Sequence, residues 1–292
     1  MKPAPFSYVR PMTVEEALSA LAQRGGEAKV LAGGQSLIAM MNLRLLKPRC
    51  LVDISRVAAL DYIRHDNGML AIGALTRLSA METSPLVAQH CPLMTEAIQH
   101  IAHRPVRNRG TVGGNLAHAD PTSELPAVAV ATDATFVARS AKGGRTILAA
   151  DFFVGHLTSA LQVDELLIEV RVPPSRPAGQ GWSFMEVSPR KGDFALVGVA
   201  ATLQVKDGTC QAARLVYSGV AGRAQRVPEA EQALVGRTAD EAAFRAAASI
   251  ASQRVQPPSD FHATAAYRRD LVHVLTRRAL AQALARCGQR SA

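Results

Sequence analysis

The sequence predicts an α+β fold with two mixed N-terminal subdomains and a C-terminal domain that combines a three-stranded antiparallel sheet with helices. Three observations favour it. Short apolar strands run into double-glycine stretches at two places, and turn signals at Asp66–Gly68 and Asp207–Gly208 indicate hairpins. Apolar residues recur at intervals of three and four along Ala263–Arg286, which is typical of a helix. At 292 residues, the chain is long enough to bury a large core.

The composition is ordinary for a globular protein. Hydrophobic residues make up 48% of the chain and charged residues 20%. Aromatic residues make up only 4%, which argues against a surface that stacks nucleobases. The formal net charge of +9 is compatible with solvated surface arginines, with an acidic partner or with ligand phosphates.

The cysteines indicate a reduced compartment. Cys50, Cys91, Cys210 and Cys287 are scattered, and no Cys-x-x-Cys spacing exists, so an iron–sulfur or zinc site made by this chain is not expected. No apolar segment of signal-peptide type follows Met1, and no apolar run reaches membrane-spanning length. We therefore expect a cytoplasmic protein without a membrane span.

The first subdomain is predicted over residues 1–57. Thr13 and Glu16 have the spacing of a capping box, which favours a helix beginning at Val14. The other expected elements are a helix end at Gln23, a strand Lys29–Ala32, a helix Leu37–Leu46 and a strand Leu51–Ile54.

The second subdomain is predicted over residues 58–177 and the C-terminal domain over 178–292. The Pro- and Gly-rich stretch Pro173–Gly181 marks the boundary between them. Expected in the second subdomain are hairpins over 61–74 and 134–149, helices Thr76–Thr83, Cys91–His103 and Ser123–Ala131, and a strand Leu166–Val172. Expected in the C-terminal domain are strands Trp182–Val187, Ala195–Lys206 and Cys210–Ser218 and helices Val227–Val235, Ala239–Arg254 and Ala263–Arg286.

Two glycine-rich stretches carry the chemical interest. In the first, Gly33-Gly34 follows a short strand and precedes polar Gln35 and Ser36. In the second, Gly110-Thr-Val-Gly-Gly-Asn115 is expected to turn a short strand and to lead towards a helix that Ser123 caps. Glycine lets backbone N–H groups approach a ligand closely, so two such loops suit the two phosphates of a dinucleotide. Taken alone, each stretch is equally compatible with a tight turn between core elements.

Known nucleotide motifs do not describe these stretches. Neither contains Gly-x-Gly-x-x-Gly, and neither has the Lys-Ser/Thr pair of a P-loop, so a Rossmann or ATPase fold is not predicted.

Histidines and acids elsewhere do not form a recognisable centre. His100 and His103 lack a third metal ligand or a catalytic acid nearby in the sequence. His118 and Asp120 suggest a base with its orienting acid, but no Ser or Cys nucleophile lies at a known spacing, so a role in shaping the loop is the better interpretation.

The glycine stretches and their flanks resemble one family. Ala32-Gly-Gly-Gln-Ser-Leu37, Leu51-Val-Asp-Ile54, Arg109-Gly-Thr-Val-Gly-Gly-Asn115 and Ala119-Asp-Pro-Thr-Ser-Glu-Leu-Pro126 are similar in order and spacing to the FAD-binding medium subunit of molybdenum hydroxylases, the group of carbon monoxide dehydrogenase and xanthine dehydrogenase-like enzymes. Phe184–Val197 and Tyr267–Leu280 also resemble it. This resemblance covers nearly the whole chain and implies a two-subdomain FAD-binding fold of the vanillyl-alcohol-oxidase/PCMH type.

The resemblance also implies a set of cofactor-binding residues. It assigns the FAD pyrophosphate to the two glycine stretches, a ribose or ribityl contact to Glu124, a backbone contact to the strand of Leu167 and Ile168, and a place beside the isoalloxazine to Phe194. The family usually has Asp at the position of Glu124. The complete implied set is Ala32, Gly33, Gly34, Gln35, Ser36, Leu37, Thr111, Val112, Gly113, Gly114, Asn115, Asp120, Glu124, Leu167, Ile168 and Phe194. Arg190 or Lys191 is a further candidate, as a positive charge that stabilises reduced flavin or as plain surface charge.

Function and partners follow from the same resemblance. It implies non-covalent FAD, no metal on this chain, and electron transfer from iron–sulfur clusters through FAD to an external acceptor. It also implies a small subunit with two [2Fe-2S] clusters and a large molybdenum-cofactor subunit, assembled as a dimer of heterotrimers. Two alternatives stay open: a free-standing FAD-dependent oxidase with its own substrate, and a nucleic-acid-binding protein favoured only by the charge.

Overall fold

Three hydrophobic cores organise the computed structural model, which describes residues 1–174 and 179–287. The predicted boundary between residues 177 and 178 lies outside the described residues, so the domain limits stay a prediction. The first core belongs to the N-terminal residues, the second to the middle of the chain and the third to the C-terminal sheet and its helices.

The N-terminal core is a small parallel α/β unit. Its elements are β1 (Ser7–Val9), α1 (Val14–Arg24), β2 (Ala28–Leu31), α2 (Leu37–Asn42) and β3 (Cys50–Asp53), and the strand order is β1-β3-β2. The predicted cap of α1 forms, because the Thr13 hydroxyl accepts the Glu16 N–H at 3.1 Å. The Glu16 carboxylate accepts the Met12 N–H at 2.7 Å, one residue before the usual capping-box donor. Helix α2 is shorter than expected, since the chain leaves it at Leu43.

The middle core surrounds a five-stranded sheet of order β4-β5-β10-β6-β7. Its strands, with the separate pair β8-β9, are β4 (Ile63–Asp66), β5 (Met69–Gly73), β6 (Thr135–Ser140), β7 (Gly143–Leu148), β8 (Phe153–Gly155), β9 (Thr158–Ser159) and β10 (Leu166–Val172). Both predicted hairpins form. Asn67 and Gly68 have positive φ angles of 48° and 78°, which a tight hairpin turn requires.

Seven helices of the described residues pack on this sheet or follow its edges. They are α3 (Leu78–Thr83), α4 (Pro85–His90), α5 (Pro92–Ile98), α6 (Arg104–Arg107), α7 (Val112–His118), α8 (Glu124–Ala131) and α9 (Ala149–Phe152). The predicted helix Cys91–His103 is wrong beyond Ile98, where the chain turns before beginning α6. Every residue of α8 is buried, so this helix lies between layers rather than on the surface.

The C-terminal domain is an antiparallel sheet covered by helices. Its elements are β11 (Gln180–Val187), β12 (Val197–Lys206), β13 (Thr209–Ser218), β14 (Gln225–Arg226), α10 (Pro228–Gln232), α11 (Glu241–Arg254) and α12 (Ala265–Arg286). The three predicted strands form and lie in the order β11-β12-β13, and the two-residue strand β14 adds a fourth beside Val216 and Tyr217. Two residues give too weak a pattern for sequence-based prediction.

The side chains on the two faces of this sheet pack into two different hydrophobic cores. Val199, Leu203 and Tyr217 face α11 and α12, whereas Phe184 and Val216 belong to the core of the middle residues. Alternation along each strand produces this division. The buried helix α8 contacts β12 and β13, so its N-terminus lies where the middle and C-terminal parts meet. Within the described residues, no helix has the length and apolar character that crossing a membrane requires.

Candidate cofactor site

The first glycine loop offers unengaged backbone donors. It connects the end of β2 to α2, and Gly34 has φ +73°, which favours glycine. Among the hydrogen bonds of the described residues, none uses the N–H groups of Gly33, Gly34, Gln35 or Ser36. The Gln35 side-chain amide donates to the Gly33 carbonyl at 3.1 Å and thereby holds the loop. Ser36 is exposed and its hydroxyl does not cap α2. Four N–H groups and one hydroxyl are therefore available to an anion.

The second glycine stretch differs from the predicted strand and turn. Thr111 caps helix α7, and its hydroxyl accepts the Gly114 N–H at 3.1 Å. Val112 and Gly113 donate to the carbonyls of Thr76 and Ala74 at 3.0 and 2.9 Å. None of the glycines at 110, 113 and 114 has a positive φ. The expectation of a strand followed by a glycine turn is wrong here, because the stretch is the first turn of a helix, and the N–H groups of Val112, Gly113 and Gly114 are engaged.

Close packing explains these glycines instead. A Cβ on Gly113 would lie 2.5 Å from the Ala74 Cβ, inside van der Waals contact. Gly114 is exposed, and a Cβ there would lie 2.8 Å from the Thr111 hydroxyl and 3.7 Å from the Ala32 Cβ. The space above Gly114 therefore lies directly beside the first loop.

The two stretches meet in space, as the sequence predicts. A Cβ on Gly33 would collide with the Arg109 carbonyl oxygen, so the first loop touches the backbone that precedes Thr111. Arg77 reinforces the contact, because its guanidinium donates to the same carbonyl. The unengaged N–H groups and the open surface of Gly114 are thus neighbours, and we call the surface between them the groove.

A buried carboxyl group begins helix α8. Glu124 is 5% exposed, and the Ser123 hydroxyl lies 3.4 Å from its Oε2. That hydroxyl also donates to Asn115 Oδ1 at 3.1 Å, so Ser123 links α7 to α8 rather than capping α8. Burial, followed by the negative charge of Glu186, raises the pKa of Glu124 to about 8. A neutral carboxyl group at pH 7 can donate a hydrogen bond as well as accept one.

The C-terminal sheet contributes a second buried acid that the sequence analysis missed. Glu186 lies on β11, and its Oε1 is 3.4 Å from His100 Nδ1. Its Oε2 and the hydroxyl of Ser218 are both enclosed and lack partners within the described residues. A Cβ on Gly198, between them in the sheet, would lie 3.7 Å from the Glu186 Cβ. Nothing local in the sequence predicts this cluster, since His100 and Glu186 are 86 positions apart.

Phe194 projects from the loop between β11 and β12. It is 71% exposed. On the same loop, Gly192 has φ +87°, and a Cβ there would lie 2.6 Å from His103 Cε1. Arg190 is exposed and pairs with Asp193 at 3.0 Å, and Lys191 is exposed. The loop between β11 and β12 therefore packs against the middle part of the chain through Gly192 and His103, and it exposes the Phe194 ring close to that contact.

The remaining predicted residues have local roles in the structure. Leu167 and Ile168 lie in β10 where the register with β6 shifts, so one residue is left out of the ladder there. The Ile168 carbonyl accepts the Ala74 N–H at 3.0 Å, next to Gly113. Asp120 Oδ1 accepts both the N–H and the hydroxyl of Thr122, at 2.9 and 2.6 Å, so its carboxylate shapes the loop before α8.

No metal centre accompanies the groove in the described part of the chain, where no group of three or more His, Cys, Asp or Glu residues is placed to hold an ion.

Burial lowers the pKa of His118, with Asp120 opposing the change, so the imidazole is neutral at pH 7.

The sequence matches family models over both parts of the chain. The model of the FAD binding domain in molybdopterin dehydrogenase matches residues 4–175, and that of the CO dehydrogenase flavoprotein C-terminal domain matches residues 182–283. The chain belongs to the family of FAD-binding medium subunits of molybdenum hydroxylases. It thus carries an FAD-binding domain and is an oxidoreductase subunit by family.

Known proteins are similar to this chain over nearly its full length. The 6-hydroxypseudooxynicotine dehydrogenase complex subunit alpha of Paenarthrobacter nicotinovorans is 42% identical, with 98% of this chain and 97% of the relative covered. A carbon monoxide dehydrogenase structure from Hydrogenophaga pseudoflava superposes with a TM-score of 0.95 at 39% identity, covering 98% and 100% of the two chains. Quinoline 2-oxidoreductase from Pseudomonas putida 86 gives 0.93 at 38% identity, covering 98% and 99%.

The groove fits the cofactor of this family. A dinucleotide pyrophosphate carries two negative charges, and the unengaged N–H groups of Gly33–Ser36 are suitable donors for it. The exposed surface of Gly114, which any side chain would fill, leaves room for the ligand beside them. The glycines of the second stretch supply this room, since the N–H groups of Gly113 and Gly114 are already engaged.

Proposed function

We propose that this chain binds FAD non-covalently and is the electron-transfer subunit of a three-chain molybdenum hydroxylase. In this proposal it receives electrons from a small subunit with two [2Fe-2S] clusters, which is reduced by a large molybdenum-cofactor subunit. It then delivers them to an external acceptor. The assembly is a dimer of these heterotrimers in the cytoplasm.

One observation carries the proposal: four backbone N–H groups that find no acceptor among the described residues line the groove beside the exposed face of Gly114. Successive backbone N–H groups that no protein acceptor uses are the donors that anion-binding loops present, so this row suits an anionic ligand. FAD, which the description of the matching family model names, carries such an anion in its pyrophosphate.

The chain's own residues have distinct tasks in this proposal. Gly33–Ser36 hold the phosphates, and Glu124 holds sugar or ribityl hydroxyls with a carboxyl group that is neutral at pH 7. The irregular part of β10 at Leu167 and Ile168 offers backbone groups to the flavin ring, and Phe194 covers it. Bound FAD supplies the ability to accept two electrons and to pass them on.

The names of the relatives support the proposal that this chain is one subunit of a larger enzyme. Their names describe one chain of a larger dehydrogenase, as in the subunit alpha above and the carbon monoxide dehydrogenase medium chain of Hydrogenophaga pseudoflava, which is 37% identical over 98% of this chain and 100% of the relative. A free-standing oxidase is the alternative, and it needs a substrate site on this chain.

The test uses the chain alone and in its native cells. Purified and loaded with FAD, the chain should accept electrons from dithionite and pass them to a dye. It should not reduce that dye at the expense of purines, N-heterocycles, aldehydes or carbon monoxide. A tagged chain recovered from native cells should bring two further chains, with iron and molybdenum. Substrate turnover by the single, metal-free polypeptide would refute the subunit role.

A further inference from the structure

A buried cation near the start of α12 connects segments that are distant in the sequence. Arg268 is only 4% exposed. Its Nη1 donates to the Leu196 carbonyl at 2.5 Å and lies 3.3 Å from the Gly219 carbonyl, and its Nη2 donates to Asp260 Oδ2 at 2.7 Å. A buried guanidinium is costly unless it is paired and hydrogen-bonded, so these three contacts are what its position depends on.

Asp260 is itself fixed before it meets Arg268. Its Oδ1 accepts the N–H groups of His262 and Ala263 at 2.9 and 3.0 Å, and its own N–H donates to the Ala263 carbonyl. The bond from Ala263 is the main reason that the pKa of Asp260 is lowered, so the carboxylate is charged at pH 7. The acid thus orients the guanidinium towards the two carbonyls.

The first carbonyl belongs to the loop that carries Phe194. Leu196 donates its N–H to the Val187 carbonyl at 2.8 Å, which closes the loop between β11 and β12. Arg268 holds the carbonyl of the same residue, two positions after Phe194. On the other side of Phe194 in the loop, Gly192 contacts the imidazole ring of His103. Phe194 therefore lies between two fixed points, one of which is the guanidinium.

The second carbonyl belongs to the segment that approaches Glu124. The Gly219 N–H donates to the Pro121 carbonyl at 2.9 Å, three residues before Glu124. Gly219 has φ +76°, and a Cβ there would collide with the Leu196 carbonyl, so Leu196 and Gly219 lie against each other. One guanidinium thereby joins the Phe194 loop to the strand end that contacts the loop before α8.

We propose that Arg268 is a positioning residue that, with Asp260, sets the distance between Phe194 and the groove and so controls how small solutes reach the flavin ring. The proposal rests on the proposed function, because it takes Phe194 as the cover of the flavin. It goes beyond that function by assigning control of access to a residue that makes no contact with the groove.

Three variants of the full chain test it. Arg268→Met removes the hydrogen bonds and keeps the apolar stem, Arg268→Lys keeps the charge, and Asp260→Asn keeps Arg268 but weakens its orientation. Arg269→Met is the matched control, since Arg269 is the exposed neighbour. Each is loaded with FAD, and the visible circular dichroism of the flavin and the quenching of its fluorescence by iodide are measured, together with the Kd for FAD.

In Arg268→Met, we expect iodide quenching to rise about threefold or more and the flavin dichroism to change, while the Kd for FAD stays within about fivefold because the phosphates are held elsewhere. Asp260→Asn should give a smaller change in the same direction, Arg268→Lys a partial recovery, and Arg269→Met none. If Arg268→Met does not fold, the result for Asp260→Asn alone tests the proposal, because the partly exposed Asp260 side chain makes that variant less disruptive to folding. Unchanged dichroism and quenching in the folded variants would overturn the proposal.

Phe194→Ala separates this proposal from the proposed function. If Phe194→Ala changes both signals and the Arg268 and Asp260 variants do not, FAD binding stands and the positioning role is refuted. If Phe194→Ala changes neither signal, Phe194 does not cover the flavin and the positioning role is also refuted. If the wild-type chain binds no FAD, the proposed function fails first and the positioning role fails with it.

Discussion

A Cβ atom on Gly33 would collide with the carbonyl oxygen of Arg109. The loop after β2 and the segment before α7 therefore touch through backbone alone, although 76 positions separate the two residues. This contact brings the unengaged N–H groups of the first loop beside the open face of Gly114, and the groove depends on it.

Gly33→Ala tests that contact. The added methyl group has no flexible neighbour to displace, so the two loops must separate, at a cost of about 1–3 kcal/mol in the free energy of unfolding. We also expect FAD affinity to fall at least tenfold, because the donors and the Gly114 face no longer line one groove. Urea unfolding and flavin titration measure the two effects. Gly155→Ala is the control, since a Cβ there meets nothing within 4 Å.

Gly114→Val tests the open face itself. A side chain at this exposed position fills the space between the stretches and pushes on the Thr111 hydroxyl that caps α7. We expect FAD binding to be lost, with a loss of stability of about 1 kcal/mol from the disturbed cap. Thr111→Val, which removes the cap without filling the groove, should reproduce the stability loss with a much smaller loss of FAD affinity. Normal FAD affinity in Gly114→Val would remove the second stretch from the cofactor site.

The sequence predicts the groove better than it predicts the local structure of its walls. Gly33-Gly34 behaves as expected from a strand end followed by glycines. Gly113 and Gly114, read as a turn, lie in a helix instead. Glycine disfavours helices, but the Thr111 cap and the close contact with Ala74 outweigh that preference. The contact with Ala74 comes from elsewhere in the chain, so no local pattern contains it.

Long-range partners account for the other omissions. Strand β1 has only three residues, Ser7–Val9, which is too short to show alternation, and its partner β3 lies 43 positions later in the chain. Glu186 reads as an ordinary strand residue, and only the fold places it near His100 and Glu124. Arg268 reads as one of many basic residues on a long helix, yet it is buried. A sequence pattern shows the periodicity of apolar residues, whereas the roles of Glu186 and Arg268 depend on which distant residues the fold places beside them.

Non-covalent attachment is a prediction that follows from the groove's composition. Neither Ala32–Leu37 nor Thr111–Asn115 contains His or Cys, the side chains that the covalent attachment of a flavin would use here. Acid precipitation of the loaded protein should therefore leave the yellow colour in the supernatant. Flavin that remains in the pellet after washing would show a covalent bond and would place a nucleophile near the ring.

The buried carboxyl group of Glu124 gives the FAD-free protein a pH-dependent stability. Its pKa is raised from an ordinary 4.5 to about 8, so between these values the folded protein holds a proton that the unfolded chain has released. The contribution of this group is fully present below pH 4.5, and it is lost as the pH rises to about 8. The slope is at most about 1.4 kcal/mol per pH unit.

Glu124→Gln should remove that decline, because the amide is neutral at every pH, so the variant should gain on the wild type as the pH rises towards 8. Glu186→Gln should instead shift the end of the decline to lower pH, since loss of the neighbouring negative charge lowers the pKa of Glu124. Thermal unfolding from pH 5 to pH 9 measures both effects. Glu15→Gln, at an exposed site, should leave the curve unchanged. Parallel curves for the wild type and Glu124→Gln would mean that Glu124 is ionised in the folded protein at pH 7, so that it can only accept hydrogen bonds from the cofactor.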